Sequence, residues 1–286
     1  MSRETGLQRN GNDTFFTKKE VAHTCIQLIR EVLFSDIKPG DLLIEPSAGD
    51  GSFIEPIKSL SQDFKASYKF YDIDPKHEEV EQLDFLTFTI SEKILPNKEI
   101  NIHFIGNPPF GRQSSLAKKF IKKCSDGKEK EKVKSISFIL PKSFKKESFQ
   151  KTFPLGFHLV KEWNLPTNSF TVNGVDHDVP CVFQIWKRED YEREINDKEE
   201  PNNFIFVKKT EPHDISVRRL GINAGEVSKE TAKKNPSSHY FLKFSSPISS
   251  HDFQMLSSIS FPRDNTVGPR SISKPELIRE FNRILS

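Results

Sequence analysis

Apolar positions along the first two thirds of the chain fall into two alternating patterns. Short runs at 42–45, 68–74, 100–105 and 135–140 carry the apolar residues typical of strands in a buried sheet. Apolar residues at helical spacing predict a helix from about Lys18, a second that ends near Leu60, and a third over 114–124. The apolar stripe of the first helix comprises Val21, Cys25, Leu28, Ile29 and Val32.

This alternation of strands and helices predicts an α/β fold with a doubly wound, mostly parallel sheet. Further on, 157–187 predicts two strands joined by a long loop, and 191–203 is dense in charge and turn residues, as a linker would be. We therefore expect a large domain over 1–190 and a small C-terminal region over 204–286, with a short helix at 275–285.

Composition narrows the class of protein. Of the 286 residues, 35% are hydrophobic and 29% charged, and no apolar run approaches a membrane span or a signal-peptide core. The cysteines Cys25, Cys124 and Cys181 are widely spaced and match no metal-ligand pattern. We expect a soluble protein of a reduced compartment, cytoplasmic or nuclear and not secreted, with no membrane partner, no metal and buried thiols.

Charge is distributed unevenly although the net charge is only +3. Between 111 and 151 there are thirteen Lys or Arg against four Asp or Glu, an excess of 13 − 4 = +9, so the remainder sums to −6. A phosphate-rich partner would explain this basic stretch, and so would a solvated, lysine-rich helix.

The tetrapeptide Asn107-Pro108-Pro109-Phe110 directly follows the apolar run 100–105. The exocyclic amine of a nucleobase is a poor nucleophile because its lone pair is delocalised into the ring. Acceptors placed close to the nitrogen draw it toward tetrahedral geometry. The Asn107 amide oxygen and backbone carbonyls held by two stiff prolines can supply them, while Phe110 offers a flat face for stacking. A rigid Pro-Pro turn closing a strand is the alternative.

Two earlier strand ends carry acidic residues. Glu45 ends one strand and leads into a loop with Gly49 and Gly51, where the backbone can approach a ligand. Asp72 lies at the end of the next strand, the position at which dinucleotide-binding folds accept the two hydroxyls of a ribose. These motifs fall at carboxyl ends of strands, where such sheets bind ligands.

Together, these stretches resemble the amino-group methyltransferases that use S-adenosylmethionine (SAM), above all the N6-adenine methyltransferases. The resemblance rests on the tetrapeptide and on Glu45-Pro46-Ser47-Ala48-Gly49-Asp50-Gly51-Ser52-Phe53, and it extends over about 14–187. It implies a Rossmann-like SAM methyltransferase fold and SAM as cofactor.

The resemblance also implies roles for single residues. Those that act on the substrate amine are Asn107, Pro108 and Phe110. Those that hold SAM are Thr17, Glu45, Ser47, Ala48, Gly49, Gly51, Asp72, Ile73, Asp84, Phe85 and Asn107. Those that contact substrate are Pro109, Arg112, Lys142 and Phe170, with the rings of Phe110 and Phe170 on opposite faces of a flipped base.

Simpler interpretations stay open for several of these residues. Thr17 suits an ordinary helix N-cap, Asp84 a solvated turn, and Phe170 a core position under a loop. Asp176-His177-Asp178 is interpreted as a surface turn. Residues 204–286 carry no chemical motif, but Arg218, Arg219 and Tyr240 among polar residues suit contact with nucleic acid.

The sequence therefore predicts an enzyme that methylates the N6 amine of adenine at particular sites in nucleic acid, with DNA preferred over RNA. Its rivals are an enzyme acting on adenine or guanine in RNA, one acting on the side-chain amide of a protein glutamine, and a catalytically silent nucleic-acid-binding subunit. The basic stretch argues against a protein substrate.

Overall fold

The chain forms two compact units in the computed structural model, and the first ends at Glu194. This boundary falls in the charged stretch predicted to be a linker. The structure describes residues 15–89, 100–126, 130–194, 199–262 and 269–285.

The first unit is built on one mixed sheet. Its elements in chain order are β1 (Phe16–Thr17), α1 (Lys19–Val32), β2 (Leu42–Glu45), α2 (Ile54–Phe64), β3 (Ser67–Asp72), β4 (Glu81–Gln82), β5 (Ile102–Gly106), α3 (Ser115–Asp126), β6 (Val133–Pro141), α4 (Glu147–Gln150), β7 (Phe157–Asn164), β8 (Phe170–Val172), β9 (Val175–His177) and β10 (Cys181–Arg188). Seven described strands form a sheet in the order β4-β3-β2-β5-β6-β10-β7, in which only β10 runs against its neighbours. The predicted α/β fold with a mostly parallel sheet is confirmed.

The central strands are buried on both faces. Every residue of β2 and β5 is buried, which explains why their sequences are apolar runs and do not alternate. Leu42 and Ile44 belong to the same core cluster as Ala117 and Phe120 of α3, so α3 covers their face of the sheet. Because side chains alternate along a strand, Leu43 and Glu45 point to the opposite face.

Three predicted boundaries were wrong by a few residues. The second helix continues to Phe64, and β3 ends at Asp72 and not at 74. Thr17 is not the N-cap of α1. That position belongs to Lys18, which makes no side-chain capping bond, while the backbone of Thr17 pairs with Phe170 in an extended segment.

A second, three-stranded sheet forms between segments far apart in sequence. β8 and β9 are a short hairpin inside the long loop predicted between β7 and β10, and β1 adds to its edge. The Lys18 N–H donates to the carbonyl oxygen of Ser169 at 3.0 Å, and the Lys18 side chain pairs with Asp176 at 2.8 Å. The start of the chain is thereby tied to the final hairpin loop.

A polar network is buried at the opposite end of the strands from the predicted motifs. His103 lies 3.2 Å from Asp41 through Nε2 and 2.8 Å from the hydroxyl of Ser135 through Nδ1. Asp41 also accepts from the N–H of Lys38 at 2.7 Å and from the side chain of Asn101 at 3.1 Å. Burial raises the pKa of Asp41, but the hydrogen bonds from His103, Lys38 and Asn101 outweigh burial and lower it overall.

We expect Asp41→Asn to destabilise the first unit by about 1–3 kcal/mol at pH 7, because an amide nitrogen would face groups that now donate to a carboxylate. The lowered pKa means that the carboxylate stabilises the fold above its ordinary pKa, and that this contribution is lost as pH falls through the folded value. Urea unfolding should therefore separate wild type and variant at pH 7, and the difference should shrink progressively as pH falls below about 4. The control is Asp63→Asn, an exposed carboxylate paired with Arg30, which should change stability by less than about 1 kcal/mol. Equal effects of the two substitutions would contradict the network's role.

The second unit has a core of its own. It contains β11 (Phe204–Val207), β12 (Ile215–Arg218), β13 (Val227–Ser228), β14 (His239–Phe244), α5 (Ser250–Ser257) and α6 (Lys274–Leu285). The strands form an antiparallel sheet in the order β11-β14-β12-β13, and both helices contribute side chains to its core. The terminal helix was predicted; the sheet was not.

All three cysteines are free and buried, as expected from their spacing. Burial raises the pKa of each thiol well above its ordinary value. None of the helices in the described ranges combines the length and apolar character that crossing a bilayer requires.

Candidate active site

The loops that follow β2, β3 and β5 lie at one edge of the sheet, because these strands run parallel and end together. Glu45 is the last residue of β2, Asp72 the last of β3, and Asn107 follows β5 directly. Direct contacts connect the three loops, as described below. The sequence-predicted motifs are thus brought together.

Glu45 is a buried acid, and one of its carboxyl oxygens has no partner among the described residues. Its Oε2 makes no hydrogen bond within the part of the chain that the structure describes. Burial, with repulsion from Asp50 and Asp72, raises the pKa of the Glu45 carboxyl well above its ordinary value. Gly106 lies so close that an added Cβ would be 3.0 Å from the Glu45 side chain. A buried, unpaired carboxyl of this kind is costly to fold and suits a cationic ligand.

The glycine loop after β2 is tied to Asp72. Gly49 and Gly51 have φ angles of +52° and +85°, which side-chain-bearing residues rarely adopt. The Gly49 N–H donates to Oδ2 of Asp72 at 2.8 Å, and the Asp74 N–H donates to Oδ1 at 2.8 Å. Each carboxylate oxygen keeps lone pairs for further donors. Beyond Asp72, the Ile73 side chain is 65% exposed, an apolar surface beside the carboxylate.

The segment after β4 places Asp84 in a turn and Phe85 in the core. Oδ1 of Asp84 accepts from the N–H of Leu86 at 3.0 Å, so the carboxylate organises its own turn. The Phe85 ring is buried in the main core, 5.5 Å from the ring of Phe120 and 5.6 Å from that of Phe104. Phe85 is a core residue, and its ring does not join the acids at the strand ends.

Asn107 has a fixed carboxamide with one free end. Its Nδ2 donates to the Phe15 carbonyl oxygen at 3.2 Å and to the Thr17 hydroxyl at 3.1 Å. Its Oδ1 is buried and has no hydrogen-bond partner among the described residues. The Ser47 hydroxyl donates to the backbone oxygen of Asn107 at 3.3 Å, joining the loop after β5 to the glycine loop. The site thus contains a buried acceptor awaiting a donor.

The two prolines lie in the segment that connects β5 to α3. Within the described ranges, nothing donates a hydrogen bond to the carbonyl oxygen of Pro108. The carbonyl of Phe110 accepts instead from the first turn of α3, from Leu116 at 3.1 Å and from Ala117 at 3.3 Å. Gly111 has a φ of +66°, and an added Cβ would lie 3.0 Å from the Leu116 nitrogen. The bend after the tetrapeptide therefore requires glycine.

An aromatic cluster lies beside the tetrapeptide, but it is not the predicted slot. The rings of Phe110 and Phe170 meet edge to face, at 6.5 Å and 87°, and Phe170 is fully buried. Two rings that sandwich a base must be parallel and open, so the prediction for Phe170 was wrong for this conformation. Phe15 is the ring that stacks on Phe110, at 6.2 Å and 27°, and His177 stacks on Phe15 at 5.2 Å and 19°.

Sequence reasoning missed Phe15 and assigned His177 to a surface turn, whereas the structure places it in β9. The doublet Phe15-Phe16 was the available signal: the Phe16 ring lies on the glycine loop, 3.2 Å from where a Cβ of Gly49 would stand. The acids flanking His177 are engaged elsewhere, Asp176 with Lys18 and Asp178 with the Asn168 N–H. In the described residues no three His, Cys, Asp or Glu side chains are grouped as metal ligands would be.

Two residues predicted to contact substrate, Arg112 and Lys142, lie in the loops that follow β5 and β6. Arg112 is exposed in a turn between Phe110 and α3. Lys142 follows β6 and is half-buried, and its N–H donates to the carbonyl oxygen of Pro180 at 3.0 Å. Both are placed by the loops that follow β5 and β6, and no contact of either side chain with the acids is observed.

Comparison with known proteins gives fold neighbours only. No protein-family model and no curated protein sequence matches the chain. A Pyrococcus horikoshii protein provisionally named an RNA methyltransferase shares 14% identity over 64% of this chain and 91% of its own, with a TM-score of 0.45. The methyltransferase subunit of a type I restriction-modification system from Streptococcus thermophilus shares 14% identity over 63% of this chain and 46% of its own, with a TM-score of 0.44. A modification subunit of a provisionally assigned type I restriction enzyme from Vibrio vulnificus shares 12% identity over 92% of this chain and 60% of its own, with a TM-score of 0.42.

Proposed function

We propose that this chain is a SAM-dependent methyltransferase that transfers a methyl group to the N6 amine of adenine in nucleic acid, with DNA preferred. The observation that carries the proposal is the buried Oδ1 of Asn107, which accepts no hydrogen bond from any described residue, followed in the chain by the Pro108 carbonyl, to which none of them donates either. An amino group carries two protons, and these two oxygens are acceptors for them.

These acceptors supply what the chemistry requires. Hydrogen bonds from the two N–H groups to Asn107 and Pro108 favour a tetrahedral nitrogen whose lone pair is no longer delocalised into the ring. Pro109 stiffens the loop, so the acceptors need not reorganise during the reaction. Most of the acceleration would come from alignment of the amine with the methyl donor.

The residues at the neighbouring strand ends fit SAM. When bound, SAM supplies a methyl group on a sulfonium, already activated for transfer. Glu45 would receive the ammonium group, and its unpartnered buried oxygen is the observation that supports this fit. Asp72 would accept the ribose hydroxyls, with Ile73 against the adenine of the cofactor. Ser47, Ala48, Gly49 and Gly51 would line its path, and Asp84 would contact it from the turn after β4.

A polyanionic substrate is supported by the basic stretch that follows the tetrapeptide. The first turn of α3 is bonded to Phe110, and the helix then exposes Lys119 and Lys122. Arg112 is exposed in the turn between them. Phosphates near these side chains would direct a nucleotide toward the strand ends.

The second unit is proposed to contact nucleic acid as well. Arg219, directly after β12, lies over the ring of Tyr240 at 5.1 Å, and Lys274 lies over that of Phe206 at 4.4 Å. Cations held on aromatic rings suit binding of phosphates and stacking of bases.

The function is tested by offering radiolabelled SAM in parallel to duplex DNA, single-stranded DNA, RNA and a peptide mixture, followed by nucleoside analysis. We expect label in N6-methyladenine, with DNA the better acceptor. Label in adenine or guanine of RNA, or in the side-chain amide of glutamine, would show that this acceptor, and not DNA adenine, is the substrate. Binding of nucleic acid without transfer to any acceptor would favour a silent subunit and overturn the proposal.

We expect the double substitution Lys119→Glu/Lys122→Glu to weaken nucleic-acid binding by about tenfold or more and to flatten its dependence on salt, because fewer counterions are released. Affinity for SAM should not change. Lys65→Glu/Lys69→Glu is the matched control, since it makes the same charge change at exposed positions around β3. Fluorescence anisotropy at several salt concentrations measures both. Equal losses in the two variants would indicate a general charge effect and would contradict a binding surface on α3.

A further inference from the structure

The orientation of the Asn107 carboxamide is decided by its neighbours. Its Nδ2 end faces the backbone carbonyl of Phe15 at 3.2 Å and the Thr17 hydroxyl at 3.1 Å. A backbone carbonyl can only accept, so the end of the amide that faces it must be the NH2 group. The oxygen then points the other way, where it is buried and has no hydrogen-bond partner in the described part of the chain.

Thr17 is held in place for this contact. It is buried, and β1 pairs Thr17 with Phe170 and Phe16 with Thr171. The next residue, Lys18, is bonded to Ser169 through its backbone and to Asp176 through its side chain. The hydroxyl is therefore fixed by a sheet whose other strands come from the final hairpin loop, and it meets a side chain 90 residues away in sequence.

We propose that Thr17 is a positioning residue: its hydroxyl holds the Asn107 carboxamide so that Oδ1 faces the substrate amine. The part of the inference that concerns catalysis, that Oδ1 faces a substrate amine, rests on the proposed function. It gives Thr17 a different role from the direct contact with SAM that the family resemblance implies. With only the Phe15 carbonyl left, the amide would have one fixed hydrogen bond and could rotate away from its productive orientation.

Thr17→Val tests the role, because valine keeps the shape of threonine and removes the acceptor. We expect kcat to fall about tenfold, the loss typical of one hydrogen bond, while Kd for SAM stays within about twofold. Thr17→Ser restores the hydroxyl and should restore kcat. Thr24→Val is the control, since that hydroxyl bonds only within α1, to the Glu20 carbonyl. A Thr17→Val enzyme with unchanged kcat and at least about tenfold weaker SAM binding would overturn the inference in favour of a cofactor contact.

A measurement that needs no activity separates this inference from the proposed function. In protein labelled with 15N-asparagine, the side-chain amide signals of Asn107 can be assigned by their loss in Asn107→Ala. We expect the two protons to exchange slowly in wild type and Thr17→Ser, and several-fold faster in Thr17→Val. If wild type methylates no nucleic acid, the proposed function fails while the exchange rates still decide the contact. Equal exchange in wild type and Thr17→Val would overturn the inference even in an active enzyme.

Discussion

Replacing Asn107 with alanine is expected to lower kcat for methyl transfer by about a thousandfold, because the oriented acceptor acts on the nitrogen as it becomes tetrahedral. KM for nucleic acid should change little, since the acceptor contributes mainly in the transition state. Single-turnover transfer from radiolabelled SAM to adenine-containing DNA measures the loss.

Affinity for SAM is the control in this experiment. The Asn107 side chain donates to Phe15 and Thr17, and not to Glu45 or Asp72. Kd for SAM, measured by calorimetry, should therefore stay within about threefold of wild type, and the thermal midpoint should show that the variant is folded. Undiminished turnover in Asn107→Ala would refute the assigned role.

Glu45→Gln is expected to weaken SAM binding by about a hundredfold, because an amide cannot supply the charge that an ammonium group requires. The same substitution should stabilise the protein without ligand by about 1–2 kcal/mol at neutral pH. Burial and the nearby carboxylates of Asp50 and Asp72 disfavour the ionised form of Glu45, and glutamine keeps the volume without the charge. Loss of function with gain of stability is typical of a group kept for binding.

The pH dependence of that gain follows from the direction of the pKa shift. Because the pKa of Glu45 is raised on folding, the folded state holds a proton that the unfolded state has released. Glu45 therefore costs nothing below its ordinary pKa and destabilises the fold increasingly as pH rises toward the folded value. Urea unfolding should show the variant and wild type converging below about pH 4.5.

Proton release provides a second measurement on Glu45. At a pH between the ordinary and the folded pKa of Glu45, pairing of this carboxyl with the ammonium group of SAM ionises it, and a proton leaves the protein. The binding heat of wild type should then vary with the ionisation heat of the buffer, and that of Glu45→Gln should not. Buffer-independent heat in wild type would place the cofactor's cation elsewhere.

The site residues that could be predicted from the sequence are those that belong to short local motifs. Strand ends such as Glu45 and Asp72, and the glycines with positive φ angles that follow Glu45, leave signals within a few residues. The same signals predict that these residues meet, because the carboxyl ends of neighbouring parallel strands lie at one edge of the sheet.

The parts that were missed depend on contacts between distant segments. Strands of two or three residues, as in β1, β8 and β9, are too short to show a period, so the sheet that holds Thr17 left no pattern. For the same reason Thr17 suited a helix cap by sequence, until its pairing with Phe170 placed it one residue before that position. The contact of His103 with Asp41 spans 62 residues and is equally invisible in sequence.

The stack of Phe15 on Phe110 bears on selectivity. A base that stacks on Phe110 exchanges one aromatic neighbour for another, and such a contact is worth only about 0.5–1.5 kcal/mol beyond burial. The exchange is close to balanced for any of the four bases. In the proposed reaction, discrimination of adenine from thymine, which has no amino group, must then come from the amino group itself, read by the acceptors of Asn107 and Pro108.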